Sequence, residues 1–167
     1  MTSRGHVILT EYPATVTKYT DDAEIIHQIK LASDIKEAYQ AIETYTGASI
    51  LISCEYTSTD KNRHQGVCEV TYEGHIIRYF QVQSFWDSVT DGPLLVFPLT
   101  TDADSNVYVL DRIENRVIIL NSSFNLRRVM QLKDSLQYLR YSHETKQLIV
   151  GQYNAILKYC ISIIKIQ

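Results

Sequence analysis

A loose internal repeat constrains this chain more than any other feature. The unit is an apolar strand, a polar turn, a second strand, a short turn and a third strand. It runs through "GHVILTEYPATVTKYTDDAEIIHQIKL", "ASILISCEYTSTDKNRHQGVCEVTYEGHIIRYFQ" and "SNVYVLDRIENRVIILNSSFNLRRVMQL", and returns shortened in "KQLIVGQYNAILKYCISIIKIQ". First strands begin near His6, Ser49, Asn106 and Lys146, at offsets of about 43, 57 and 40 residues. A further short apolar strand stands between units, in "YQAIET", "LLVFPLT" and "LQYLRY".

Four strands per period of roughly forty residues is the arithmetic of a β-propeller blade. A four-stranded antiparallel blade cannot bury either face alone, so it must stack on its neighbours. Strands such as "VIIL" and "ILIS" are apolar on both sides, as stacking requires. The expected fold is therefore all-β: a partial propeller of about four antiparallel blades within one domain, 1–167. The blades fall approximately at 5–31, 38–81, 94–132 and 136–167. The first lacks its innermost strand and the last its outermost, giving fourteen strands as three, four, four and three. Either the chain is a fragment of a longer propeller, or it is an open arc expected to self-associate through its unpaired blade faces.

One segment conflicts with this pattern. "SDIKEAYQAIETYTG" has Asp34 and Glu37 as a capping box, and apolar residues at near-helical spacing from Ile35 to Tyr45. Burial between blades outweighs local propensity, and the segment is assigned to an innermost strand.

With the repeat established, the chain resembles the NHL-repeat β-propellers, such as those that end many tripartite-motif ubiquitin ligases. The resemblance is carried by "DADSNVYVLDRIENRVIILNSSFNLRRVM", where Asp111 and Arg116 occupy the family's acidic and basic positions. Glu114 and Asn115 depart from the family's usual Asn and His, and six glycines are few for so many tight turns. Asp111 and Arg116 bracket a turn, so their side chains can meet across it or bind its backbone; their expected role is structural.

No catalytic motif stands out. The five histidines show no metal-ligand spacing, G-x-S-x-G and phosphate-binding glycine loops are absent, and the three cysteines form no C-x-x-C. Cys54, Cys68 and Cys160 sit in apolar runs and read as buried thiols. Some propellers of similar pattern are metal-dependent lyases that hold a metal with several histidines. Here no histidine recurs at equivalent blade positions. The expectation is a non-enzyme without metal or cofactor.

Binding is the stronger reading. The longest irregular stretch, "VQSFWDSVTDGP", contains Phe85 and the single tryptophan, Trp86. With Arg112, these are the residues expected to contact a protein partner, since aromatic side chains on loops make strong anchors. The resemblance implies a substrate-recruiting remnant of a tripartite-motif-like ligase. No RING or B-box cysteine pattern is present to make the chain a ligase itself.

The alternative is single-stranded RNA. Residues 1–105 carry seven Lys/Arg against fifteen Asp/Glu, whereas residues 106–167 carry nine against four. Arg112, Arg127, Arg128, Arg140 and Lys146 are the candidate RNA contacts. The sequence contains no membrane span or signal peptide, so a cytoplasmic location is expected.

Overall fold

A computed structural model describes residues 7–11, 14–57, 63–82, 98–132, 137–152 and 160–165. Every regular element among them is a β-strand, and the strands form four antiparallel sheets, none closed on itself. The chain is a partial β-propeller, as the repeat requires. It divides into two compact units, Met1–Glu43 with Gly47–Val82 and Thr44–Thr46 with Gln83–Gln167.

In the first unit, β1 (Val7–Glu11), β2 (Thr15–Tyr19) and β3 (Ile25–Lys30) make a three-stranded meander. Next to it, β4 (Ile35–Glu43), β5 (Ile50–Thr57), β6 (Arg63–Val70) and β7 (Ile76–Gln81) form a four-stranded one. One core joins them: Val16, Ile29 and Leu31 from the first sheet, and Ile50, Ile52, Cys54 and Val70 from the second. Five consecutive β5 residues, Ile50–Cys54, are buried, so that strand is covered on both faces. Cys54 and Cys68 are free, buried and 3.1 Å apart at sulfur. The hydrogen bond to Cys68, then burial, pushes the Cys54 thiol well up. The side chain of Cys160 lies outside the described residues.

In the second unit, β8 (Leu99–Thr101), β9 (Val107–Asp111), β10 (Arg116–Leu120) and β11 (Leu126–Gln131) form a four-stranded sheet. The strand expected at Leu94–Leu99 is described only from Leu99, because residues 83–97 lie outside the described set. A three-stranded sheet of β12 (Tyr138–Ser142), β13 (Gln147–Gln152) and β14 (Cys160–Lys165) follows. Tyr108, Leu110, Val117 and Ile119 share a core with Leu139, Leu148 and Val150.

The segment with helical spacing is β4, and its register explains the spacing. Bulges between Ile35 and Glu37 and between Ala38 and Gln40 each insert one residue. Ile35, Ala38 and Ala41 therefore stand opposite Tyr56, Cys54 and Ile52, and all three pack into the same core. An unbulged strand would repeat every second residue, but here the buried face recurs every third.

One five-residue turn closes four of the hairpins: Thr20–Glu24, Thr71–His75, Asp102–Asn106 and Asn121–Asn125. In each, the first residue's N–H donates to the fifth residue's carbonyl, and the fourth residue's N–H to the first's. The first side chain accepts from backbone N–H groups inside the turn. Thr20 Oγ1 takes Glu24 N, Thr71 Oγ1 takes Glu73 N and His75 N, and Asn121 Oδ1 takes Ser123 N and Asn125 N. The fourth residue is left-handed throughout: Ala23 at φ 61°, Gly74 at 86°, Ser105 at 60° and Phe124 at 62°. Side-chain capping thus holds a geometry usually given to glycine, which accounts for the low glycine count. Ala23 is exposed, so Ala23→Gly should remove strain without losing contacts. Urea unfolding should show a gain of roughly 0.5–1 kcal/mol.

Candidate binding surface

The second unit positions its side chains through two buried aspartates. Asp102 follows β8 and accepts four hydrogen bonds: from Asp104 N (3.0 Å), Asn106 N (2.9 Å), Asn106 Nδ2 (2.7 Å) and the Tyr108 hydroxyl (2.7 Å). Asp111 ends β9 and is 0% exposed. Its Oδ1 accepts from Ile113 N and Glu114 N, and its Oδ2 from Arg116 Nε at 2.8 Å. Both modes of contact open to this pair therefore occur together. The arginine crosses the turn while the carboxylate also caps the backbone, so each aspartate fixes a turn and the register of its hairpin.

From the Asp102 turn a ladder of rings leads outward. Tyr108 is 1% exposed and stacks on Tyr141 at 5.7 Å, with planes 8° apart. Tyr141 meets His143 edge-on at 5.1 Å, and His143 meets Tyr45 at 5.4 Å with a 32° tilt. Tyr45 belongs by its contacts to this unit and is 56% exposed. Tyr141 is anchored by its backbone N–H, which donates to Thr100 Oγ1 at 3.0 Å. Burial, then the carboxylates of Asp102 and Asp104, pushes the Tyr141 hydroxyl up.

The first unit has its own polar cluster. Lys18 Nζ lies 2.5 Å from Glu43 Oε1, and the Tyr72 hydroxyl donates to the same oxygen. His27 packs edge-on against Tyr72, with Nε2 3.0 Å from the Tyr72 carbonyl. This ties β2 and β3 of one sheet to β4 and the β6–β7 turn of the other.

The residues expected to bind partners are placed as follows. Phe85 and Trp86 lie outside the described residues. Arg112 is half-buried in the turn after β9. Arg127 and Arg128 are exposed on β11, Arg140 is exposed on β12, and Lys146 is exposed in the turn before β13. Arg127 leans on Asn106 Oδ1 at 3.4 Å, at the opposite end of β9 from Arg112. Five strand residues separate those ends by about 16 Å. The basic set does not converge: Arg112 stands apart from Arg127. The Asp102 network and the ring ladder were not anticipated. Their members are scattered from position 45 to 143, and only the turn-forming "DADSN" gave a local signal.

Tyrosine ionisation gives this geometry a measurable consequence. Burial, then hydrogen bonding to a carboxylate, raises the Tyr108 and Tyr72 hydroxyls well above the usual phenol range, through Asp102 and Glu43 respectively. Above pH of about 10 the unfolded chain loses these protons while the folded chain retains them. Stability present below that pH should therefore fall as pH rises past it. The stability advantage of the wild type over Tyr108→Phe should shrink between pH 8 and pH 11, as read by urea unfolding.

No protein-family model matches this chain, and no curated protein matches it significantly. Among solved structures it is similar to hydrazine synthase of Kuenenia stuttgartiensis, with a TM-score of 0.63 and 10% identity, over 96% of this chain and 55% of that one. It is also similar to the β-propeller domain of Cps50 (Swd1) from Myceliophteria thermophila. There the TM-score is 0.62 and the identity 14%, over 97% of this chain and 48% of the other. The chain thus spans about half the length of these solved chains. At such identities the likeness establishes the propeller fold alone.

Proposed function

We propose that this chain is a non-catalytic protein-interaction module that meets its partner through the turns at the ends of its blades. One observation carries the reading: four turns share one backbone geometry, each pinned by the side chain of its own first residue. The turn tips are thereby left as preorganised, outward-facing positions. Asp21, Asp22, Glu73, Asp104, Ser122 and Ser123 are all exposed there. Side chains on rigid turns bind with little ordering cost. The buried carboxylates Asp102 and Asp111, by contrast, have their oxygens committed to turn backbone, Tyr108 and Arg116.

Within this reading, the NHL-like "VLDRIENRVIIL" stretch makes the chain the substrate-recruiting portion of a tripartite-motif-like assembly working in the cytoplasm. Phe85 and Trp86 remain its sequence-derived contacts, whereas Arg112 lies at the far end of β9 from the Asp102–Asn106 turn. The alternative, single-stranded RNA, requires Arg112 and Arg127 to act from opposite ends of β9.

Changing the charge at the tips tests the proposal. Asp21→Lys with Asp22→Lys, Glu73→Lys, and Ser122→Glu with Ser123→Glu are made separately and assayed for capture of the partner isolated with the wild type. At least one should abolish capture at unchanged melting temperature. Capture indifferent to all three would refute the turn-tip reading.

A further inference from the structure

We propose that the outer end of the ring ladder, Tyr45, His143 and Tyr141 beside Asp104, is a recognition site for a cationic side chain, lysine or arginine, of a peptide partner. The inference rests on the interaction reading above and gives that partner a chemistry.

Three properties point to a cation. The first is a prebuilt aromatic surface: His143 touches both Tyr141 and Tyr45, with centroids 5.1 and 5.4 Å apart. Single exposed aromatics are ordinary, but contacting rings that keep exposed faces offer several π-surfaces to one ligand. Tyr45 and His143 are exposed, whereas Tyr108 at the other end is buried. The ladder is thus anchored inside and open outside.

The second is rigidity. Tyr141 is held by Thr100 through its backbone and by Tyr108 through its ring. Asp104 is held by the Asp102 carboxylate, which accepts its N–H. A ligand entering here need not order the site.

The third is the sign of the local field. Asp104 is exposed, and the charged groups that act on the Tyr141 hydroxyl are both carboxylates. Glu144 is exposed next to His143. Arg127 lies at the buried end, where it acts on Tyr108. Lys146 is the one cation in the turn that carries His143 and Glu144, and it is exposed. Ring faces beside carboxylates attract a cation, whereas a phosphate would meet repulsion from Asp104 and Glu144.

Lys146 makes the test decisive, because its reversal has opposite consequences for the two ligand classes. The full chain is titrated with acetyl-Gly-Lys-Gly-amide, acetyl-Gly-Arg-Gly-amide, acetyl-Gly-Glu-Gly-amide and oligo-dT, following the ring C–H resonances of His143 and Tyr141 by NMR. The lysine or arginine peptide should give saturable shifts and the glutamate peptide none. Tyr45→Ala and Asp104→Asn should each weaken binding by about two- to fivefold, and Lys146→Glu should strengthen it. Tyr45 and Asp104 are exposed, so neither change threatens the fold. Absence of saturable shifts with both cationic peptides would overturn the site. So would oligo-dT binding that Lys146→Glu weakens, which would make the ladder a stacking platform for bases. If the cation site fails while the turn-tip variants still abolish partner capture, only this inference falls; capture indifferent to those variants sinks the parent reading.

Discussion

Replacing Asp111 by alanine is expected to destabilise the protein by about 3 kcal/mol. Its carboxylate is fully buried and accepts from two turn N–H groups and from Arg116. Alanine would strand those donors, at about 1–3 kcal/mol for each that stays buried. Arg116 is partly exposed and can turn to water, which limits the loss from the ion pair. The melting temperature should fall by roughly 6–12 °C. Arg116→Met separates the components, since it removes the ion pair and leaves both caps intact. It leaves one oxygen of a buried carboxylate without its charge partner and should cost about 1–2 kcal/mol, less than loss of the carboxylate itself. Equal losses in the two variants would place the stabilisation in the ion pair and contradict this assignment.

Gly74→Ala should be comparably severe, by an unrelated route. Gly74 has φ 86°, and a Cβ built there would overlap the Lys30 carbonyl oxygen at the end of β3. The Gly74 carbonyl also accepts the Ala32 N–H, so the turn is drawn against the neighbouring sheet. A side chain must force that contact apart. Left-handed strain of about 1–2 kcal/mol adds to an overpacking cost of about 1–3 kcal/mol. Gly47 is the internal control: its φ is 68°, but a Cβ there meets nothing within 4 Å. Gly47→Ala should cost only the strain. If urea unfolding gives the same loss for both variants, the close approach of the two sheets is not what Gly74 protects.

These residues also show how far the fold could be read in advance. The strands were legible because β-branched residues alternate or run continuously between polar turns, and the repeat of the unit set the grouping into sheets. The Asp111–Arg116 turn was legible because both partners lie in one hairpin, five positions apart. The helical spacing from Ile35 to Ala41 was misleading for a specific reason: two bulges give a strand a three-residue repeat, and nothing local marks them. The shared five-residue turn had a signal, a Thr, Asp or Asn at its first position. That signal emerges only when "TDDAE", "TYEGH", "DADSN" and "NSSFN" are aligned in one frame.

The binding surface was less legible. Net charge by segment pointed to the basic C-terminal part, yet charge along a chain says nothing about which end of a strand a side chain reaches. Arg112 and Arg127 flank β9 at its two ends, and Arg127 is engaged with Asn106. The ring ladder joins Tyr45, Tyr108, Tyr141 and His143 across nearly a hundred positions, so no local pattern in the sequence marks it.

Methyl–methyl NOE spectroscopy on the labelled chain tests most directly whether flat sheets laid face to face are what hold these strands. Cross-peaks are predicted from Val16 and Ile29 to Ile50 and Ile52, and from Leu110 to Leu148, with β-type shifts through Ile35–Glu43. Helical shifts across that segment, with those cross-peaks missing in a folded sample, would contradict the stacked-blade account.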